Sequence, residues 1–321
     1  MNKSVKILSI ISIILSLIGV LLATAILTFL WEPINVLLNS PEVITKATPI
    51  IPRGNMVYIL GCVIISLVLL ASYKSRKFIV IEILSIVFLS FLLPYLTYRL
   101  DLNQTMLTGH PMGENSMAIL GTANSIMAIP VGFANLSVAL SLITSGMRII
   151  EKVISNKKMP INVLSILSVI ISAVSFLISI AVLTIFWEPM VSRYVSSVDI
   201  INYRPILPIG SVLYIVACLI ISIILVLSKK SNGSFAIEII TMSLLGFGVP
   251  VLMWILNLVQ QFNVNAIGIS AVREFIISNK VLVSSIGIMK LSSAICLVVS
   301  GMRIAYKNNY KKLQQKAIDK N

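Results

Sequence analysis

Lys290 lies deep in an apolar run, about 20 Å along a helix from Arg303 at 1.5 Å per residue. An ammonium at that depth is costly, and by default it marks a functional position. The alternative is a side chain that snorkels toward the nearer surface. Asn135, also polar, occupies the matching place earlier in the chain. Glu82 and Glu238 form a second matched pair, each about one turn inside an apolar run that follows a basic segment. Carboxylates there suit the positive end of a helix dipole. A sharper reading makes them a proton- or cation-binding pair. Trp31-Glu32 and Trp187-Glu188, each followed by proline, are candidate docking points on an outer face. Asn103-Gln104-Thr105 is a possible glycosylation sequon in what reads as an outer loop; Asn232-Gly233-Ser234 also matches, on the opposite side.

Other chemistry is excluded by what the chain lacks. One histidine, His110, cannot supply a bis-histidine haem or a multi-histidine metal site. The three cysteines, Cys62, Cys218 and Cys296, sit inside apolar runs, away from disulfide-bearing loops. No phosphate loop, GxGxxG, HExxH or GxSxG motif occurs. The sequence therefore assigns no catalytic residue, cofactor or metal, and the chain reads as a non-enzyme.

The elements that must position these residues are membrane helices. Of 321 residues, 58% are hydrophobic and 11% charged, against about 25% charged in a soluble domain. The apolar runs are long enough to cross roughly 30 Å of hydrocarbon as helix. A β-barrel would require alternation of apolar and polar residues, and Ile, Leu and Val here occupy both parities. The spacing predicts helices near 7–30, 56–72, 78–98, 125–147, 162–186, 211–228, 235–258 and 280–302. The net charge of +14 lies at the ends of these runs. That is membrane topology, and it excludes nucleic acid as the partner.

The chain is internally duplicated. Trp31-Glu32-Pro33 recurs as Trp187-Glu188-Pro189, and residues 50–70 match 206–226 at 10 of 21 positions. Pro94 matches Pro250, and Ser145-Gly146-Met147-Arg148-Ile149 recurs from Ser300 to Ile304. The expected fold is an all-α integral membrane protein of about eight transmembrane helices in two tandem four-helix repeats. The first repeat spans 1–158 and the second 159–305, followed by a basic cytoplasmic tail at 306–321. Four spans per repeat make the repeats parallel. Residues 1–25 could pass for a signal peptide, but their copy lies mid-chain, so a retained helix is expected.

Lys3, Lys6, Lys74, Arg76, Lys77, Arg148, Lys152, Lys157, Lys158, Lys229, Lys230, Arg303 and the lysines after it fall on one side. Fewer basic residues fall on the other, so both termini are expected in the cytoplasm and the protein in the plasma membrane. Trp31, Tyr58, Tyr95, Tyr98, Trp187, Tyr214 and Trp254 lie near outer helix ends, as an interfacial belt would. Segments 116–123 and 270–278 read as short interfacial helices. Ser9, Ser12 and Ser16, their copies Ser165, Ser168 and Ser172, and the row Ser137, Ser141 and Ser145 read as packing stripes that let helices approach closely.

Each repeat, four helices with a tryptophan at the start of the first outer loop, resembles claudins in layout. The Gly-Leu-Trp motif and loop cysteines of that family are absent, so the resemblance is one of layout only. Long apolar helices without cofactor ligands imply a non-catalytic membrane subunit, in contact with the lipid bilayer, that anchors or organises other protein subunits. A respiratory electron-transport or export complex is a natural setting. The alternative is a channel or secondary transporter with a path at the interface of the two repeats, motivated by Lys290, Asn135, Glu82 and Glu238.

Overall fold

The computed structural model describes residues 3–33, 50–72, 78–109, 120, 123–124, 126–153, 161–191, 206–228, 236–267 and 269–318. The fold is all-helical, and eight of the described helical stretches are long and apolar enough to cross a membrane. The chain divides into two compact units, Met1–Ser145 and Gly146–Asn321. The division falls inside a helix, 13 residues before the boundary at 158 drawn from the sequence.

The first unit begins with α1 (Lys3–Thr28), whose apolar residues clothe all sides, followed by α2 (Arg53–Ser72). Next come α3 (Phe78–Val87), a π-helical turn (Phe88–Leu92) and α4 (Leu93–Gly109), which together make one continuous rod. Then α5 (Ala128–Val153) runs across the division between units. α2 packs against α1, α3 and α4. Its core joins Ala23, Tyr58, Ile59, Cys62, Leu89, Leu93 and Ala134.

The second unit contains α6 (Ile161–Thr184), the short α7 (Trp187–Val191) and α8 (Ile209–Leu227). It continues with α9 (Ala236–Ser243), a π-helical turn (Leu244–Gly248), α10 (Val249–Ile267) and the 50-residue α11 (Ile269–Ile318). α6 and α8 both pack on α11, and α8 also packs on α10.

The two π turns have a local cause. Pro94 and Pro250 follow them, and a proline can neither donate a backbone hydrogen bond nor tolerate the carbonyl four residues before it. The helix widens instead. Leu93 N–H bonds Phe88 O and Val249 N–H bonds Leu244 O, each skipping five residues. The Ser90 hydroxyl donates to Ile86 O at 2.6 Å. Both turns fall near the middle of their spans, Phe78–Asp101 and Ala236–Asn257. The sequence showed only the prolines, which lie toward one end.

Large apolar side chains cover the outside. Ile14, Leu21, Ile64, Leu84, Val163, Leu177, Ile220 and Ile240 are among the exposed ones. Such surface suits lipid, and a soluble monomer rarely exposes so much contiguous apolar area. The chain is a multi-pass membrane protein by this surface and by its eight long apolar helices.

Three expectations on element ends need correction. The third and seventh runs were read as ending at 98 and 258, but α4 continues to Gly109 and α10 to Ile267. Segment 270–278 is the opening of α11 rather than a separate interfacial helix, and the helix continues through most of the basic tail, to Ile318. Asp101, Gln104 and Gln260, beyond the expected helix ends, and Asn257 just inside one, are used in packing against neighbouring helices. Segment 116–123 lies mostly outside the described residues, as does Asn232.

Candidate functional site

In each unit the most ordered polar arrangement is a knot of hydroxyls where three helices meet. In the first unit Ser12 of α1, Ser66 of α2 and Ser137 and Ser141 of α5 converge. Ser12 Oγ is 2.7 Å from Ser141 Oγ and 3.0 Å from Ser137 Oγ, and the Ser137 hydroxyl donates to Ser12 O at 2.7 Å. Ser66 Oγ lies 3.3 Å from both Ser12 and Ser141. All four are buried. In the second unit Ser172 Oγ is 2.5 Å from Ser292 Oγ and 3.1 Å from Ser222 Oγ. Ser292 donates to Ser168 O at 2.7 Å, and Ser175 donates to Ser285 O at 2.7 Å. Hydroxyls are small enough to let backbones close in, and each interhelical bond adds about 0.6 kcal/mol.

Glycines set the approach at the starts of α2 and α8, twelve residues from the knot serines Ser66 and Ser222. A Cβ at Gly210 would lie 2.2 Å from Met253 O, and one at Gly54 would lie 2.5 Å from Thr97 O. Only glycine allows α8 to meet α10, and α2 to meet α4, at that range. A little further along, one glutamine in each unit clamps the start of a helix. Arg53 N–H donates to Gln104 Oε1 at 2.9 Å, and Gln104 Nε2 donates to Ile51 O at 2.7 Å. In the second unit Ile209 N–H donates to Gln260 Oε1 at 2.8 Å, and Gln260 Nε2 donates to Leu207 O at 2.7 Å. Each amide satisfies one orphan N–H of a helix start and one carbonyl just before it. Neighbouring amides complete the layer. Asn55 Nδ2 donates to Asn124 Oδ1 at 3.0 Å, while Asn257 Nδ2 donates to Ser211 Oγ and Ser211 to Asn279 Oδ1, both at 3.1 Å.

The opposite end of the second unit is ionic. Glu238, in the first turn of α9, is buried, and Lys307 Nζ donates to its Oε1 at 3.0 Å. Arg303 lies close enough to act on Glu238 electrostatically. Its guanidinium donates to Ser228 Oγ at 3.1 Å and Ser165 Oγ at 3.2 Å. The charge on Glu238 is thus matched by cations of α11, which ties α9 to α11. Glu82 in α3 is buried, and Arg148 in α5 is fully buried. Among the described residues no group of three or more histidine, cysteine or carboxylate side chains is arranged to hold a metal ion.

The remaining positions singled out from the sequence separate. Asn135 accepts a hydrogen bond from the Tyr58 hydroxyl at 2.5 Å. Lys290, its match, is partly exposed on α11. Tyr214, the match of Tyr58, is buried with Ser293 and Cys218 as its polar neighbours. Trp31 and Trp187 are buried, which departs from the interfacial-belt expectation. Trp31 packs with Ile26, Ala123 and Ile126, and Trp187 with Val182, Ile277 and Val281. Burying these rings removes more apolar area from water than an interfacial position would. Tyr58 and Tyr214 are buried too, whereas Tyr95 is exposed. Glu32 and Glu188 beside the tryptophans are exposed. Asn103 is exposed but lies within α4 rather than in a loop.

Sequence reasoning missed the glutamine clamps and the burial of Arg148 and Arg303. The signals were present: Gln104 and Gln260 share the repeat spacing, and both arginines lie in the recurring Ser-Gly-Met-Arg-Ile segment. Comparison with protein-family models, with curated proteins and with solved structures gives no match for this chain.

Proposed function

We propose that this chain is a non-catalytic membrane subunit that anchors or organises partner proteins. In this reading it is built of two tandem parallel repeats, with both termini in the cytoplasm and the plasma membrane as its site. The observation that carries the reading is the pair of buried serine knots. The three helices at each knot are closed on one another, with Ser12, Ser66, Ser137 and Ser141, and Ser172, Ser222 and Ser292, at 2.5–3.4 Å. Polar side chains in these spans are used to hold helices together, which suits a scaffold. Glu32 and Glu188, exposed beside the buried tryptophans, and the long α11 offer attachment. The test is purification of the tagged chain from its native membranes in mild detergent. One partner in constant stoichiometry supports the reading, and a chain that purifies alone overturns it.

A second reading, a channel or secondary transporter, is favoured by a different observation. The matched π turns at Phe88–Leu92 and Leu244–Gly248 interrupt two helices at mid-span. Such turns are frequent at functional sites, and Lys290 also lies at mid-span. Solute or ion flux in vesicles holding only the purified chain, abolished by Lys290→Met, would establish this reading in place of the first.

A further inference from the structure

Lys290 sits near the centre of its span. Ser292, two residues on, is bonded to Ser168 and Ser172, which lie about halfway along α6. Either end of the span is therefore roughly 15–20 Å away at 1.5 Å per residue. The four-carbon stem of lysine is too short to carry its ammonium to either surface. Among the described residues no carboxylate, hydroxyl or carbonyl bonds it, in contrast to Asn135 with its tyrosine. The residue is nevertheless only partly buried.

The helix face beside it is open. A Cβ built at Gly287, one turn from Lys290, meets nothing within 4 Å. Ser284, a further turn away, is exposed, and Val283 and Leu291 are partly exposed. The opposite face of the same stretch is packed, with Val281, Leu282, Ser285, Met289 and Ser292 buried. Small residues on an open face allow another helix backbone to approach closely. A charge left alone in hydrocarbon is costly, and such charges pair with one another across helices.

We infer that the Ser284–Gly287–Lys290 face of α11 is the seat of a transmembrane helix from a partner subunit, whose own mid-span aspartate or glutamate pairs with Lys290. The inference rests on the scaffold reading above and supplies the chemistry of the partner: an apolar helix with one central carboxylate. Charge complementarity selects that occupant over a purely apolar helix, which would leave the ammonium unpaired.

The test places a photoreactive p-benzoylphenylalanine at Ser284 of the full-length tagged chain in its native membranes. Irradiation is expected to give one protein adduct, whose membrane segment carries a central acid. Lys290→Met lowers that adduct at least tenfold, while Lys290→Arg keeps it. Lys290→Asp restores it only when the partner's acid is changed to lysine. Elution of each variant at the wild-type position in size exclusion shows that the chain is folded. Adducts to lipid alone, to a second copy of this chain, or to a protein without an intramembrane acid overturn the inference, as does an adduct unmoved by Lys290→Met. If the tag still recovers a constant partner in those cases, the scaffold reading stands and only the seat is wrong. If it recovers none, both fall.

Discussion

In the first unit Tyr58 reaches across to Asn135, and the polar pair is closed within the unit. In the second, the matching Tyr214 is buried beside Ser293 and Cys218, and the position of Asn135 is taken by a lysine without a polar partner among the described residues. Elsewhere the two units solve the same problems alike. Both use a serine knot at mid-span, a glycine at the closest helix approach, a glutamine clamp at a helix start and a π turn before a proline. At one matched position the first unit thus has an internal tie, and the second a partly exposed charge. That contrast gives Lys290 its meaning, because packing alone is already served by an asparagine at the same place.

The comparison can be broken most severely at the glycines. Gly210→Ala puts a methyl 2.2 Å from the Met253 carbonyl and should cost about 1–3 kcal/mol or more through overpacking. Gly287→Ala, where space is open, should be neutral or gain about 0.5–1 kcal/mol from helix preference. Thermal unfolding in detergent separates the two, and equal effects would refute the packing account. Next in size, Glu238→Gln leaves Lys307 and Arg303 with an uncompensated positive charge. Removing one partner of a buried pair costs about 3–5 kcal/mol. Lys307 is partly exposed here, so roughly 1–3 kcal/mol is expected, and Glu238→Gln combined with Lys307→Met should recover part of it.

The glutamine clamps sharpen the comparison between units. Gln104 is buried and Gln260 more open. Gln104→Ala should cost about 1–2 kcal/mol and Gln260→Ala less, near 0.5–1 kcal/mol, because water replaces an exposed bond more readily. The reverse order in the same assay would contradict the burial argument. The smallest effect is expected from Tyr58→Phe, which removes one interhelical bond worth about 0.6 kcal/mol. Double-mutant analysis with Asn135→Leu should show that the loss belongs to this pair.

The spans were legible in the sequence because each is an apolar run longer than a bilayer is thick. The recurrence of Trp-Glu-Pro and Ser-Gly-Met-Arg-Ile is a property of the sequence itself. What escaped were the places where polar residues serve packing. Asp101, Gln104 and Gln260 look like loop by composition, yet they extend α4 and α10 because glycine and backbone groups of the adjacent helix await them. Trp31 and Trp187 look interfacial by position, yet they are buried because isoleucine, valine and alanine from neighbouring helices surround them. The π turns are invisible in residue type: proline reports that a carbonyl will be displaced, but not how many residues earlier the helix will widen. Lys290 was conspicuous in the sequence, whereas its open flank at Gly287 could be seen only in three dimensions.

The central claim, that this chain organises partners, is tested most directly by the native mass of the particle extracted from membranes. The account predicts a constant mass above the 35.1 kDa of the chain, by an amount that is no multiple of it and belongs to one or more other membrane proteins. A particle of one chain, or of copies of this chain alone, would contradict it.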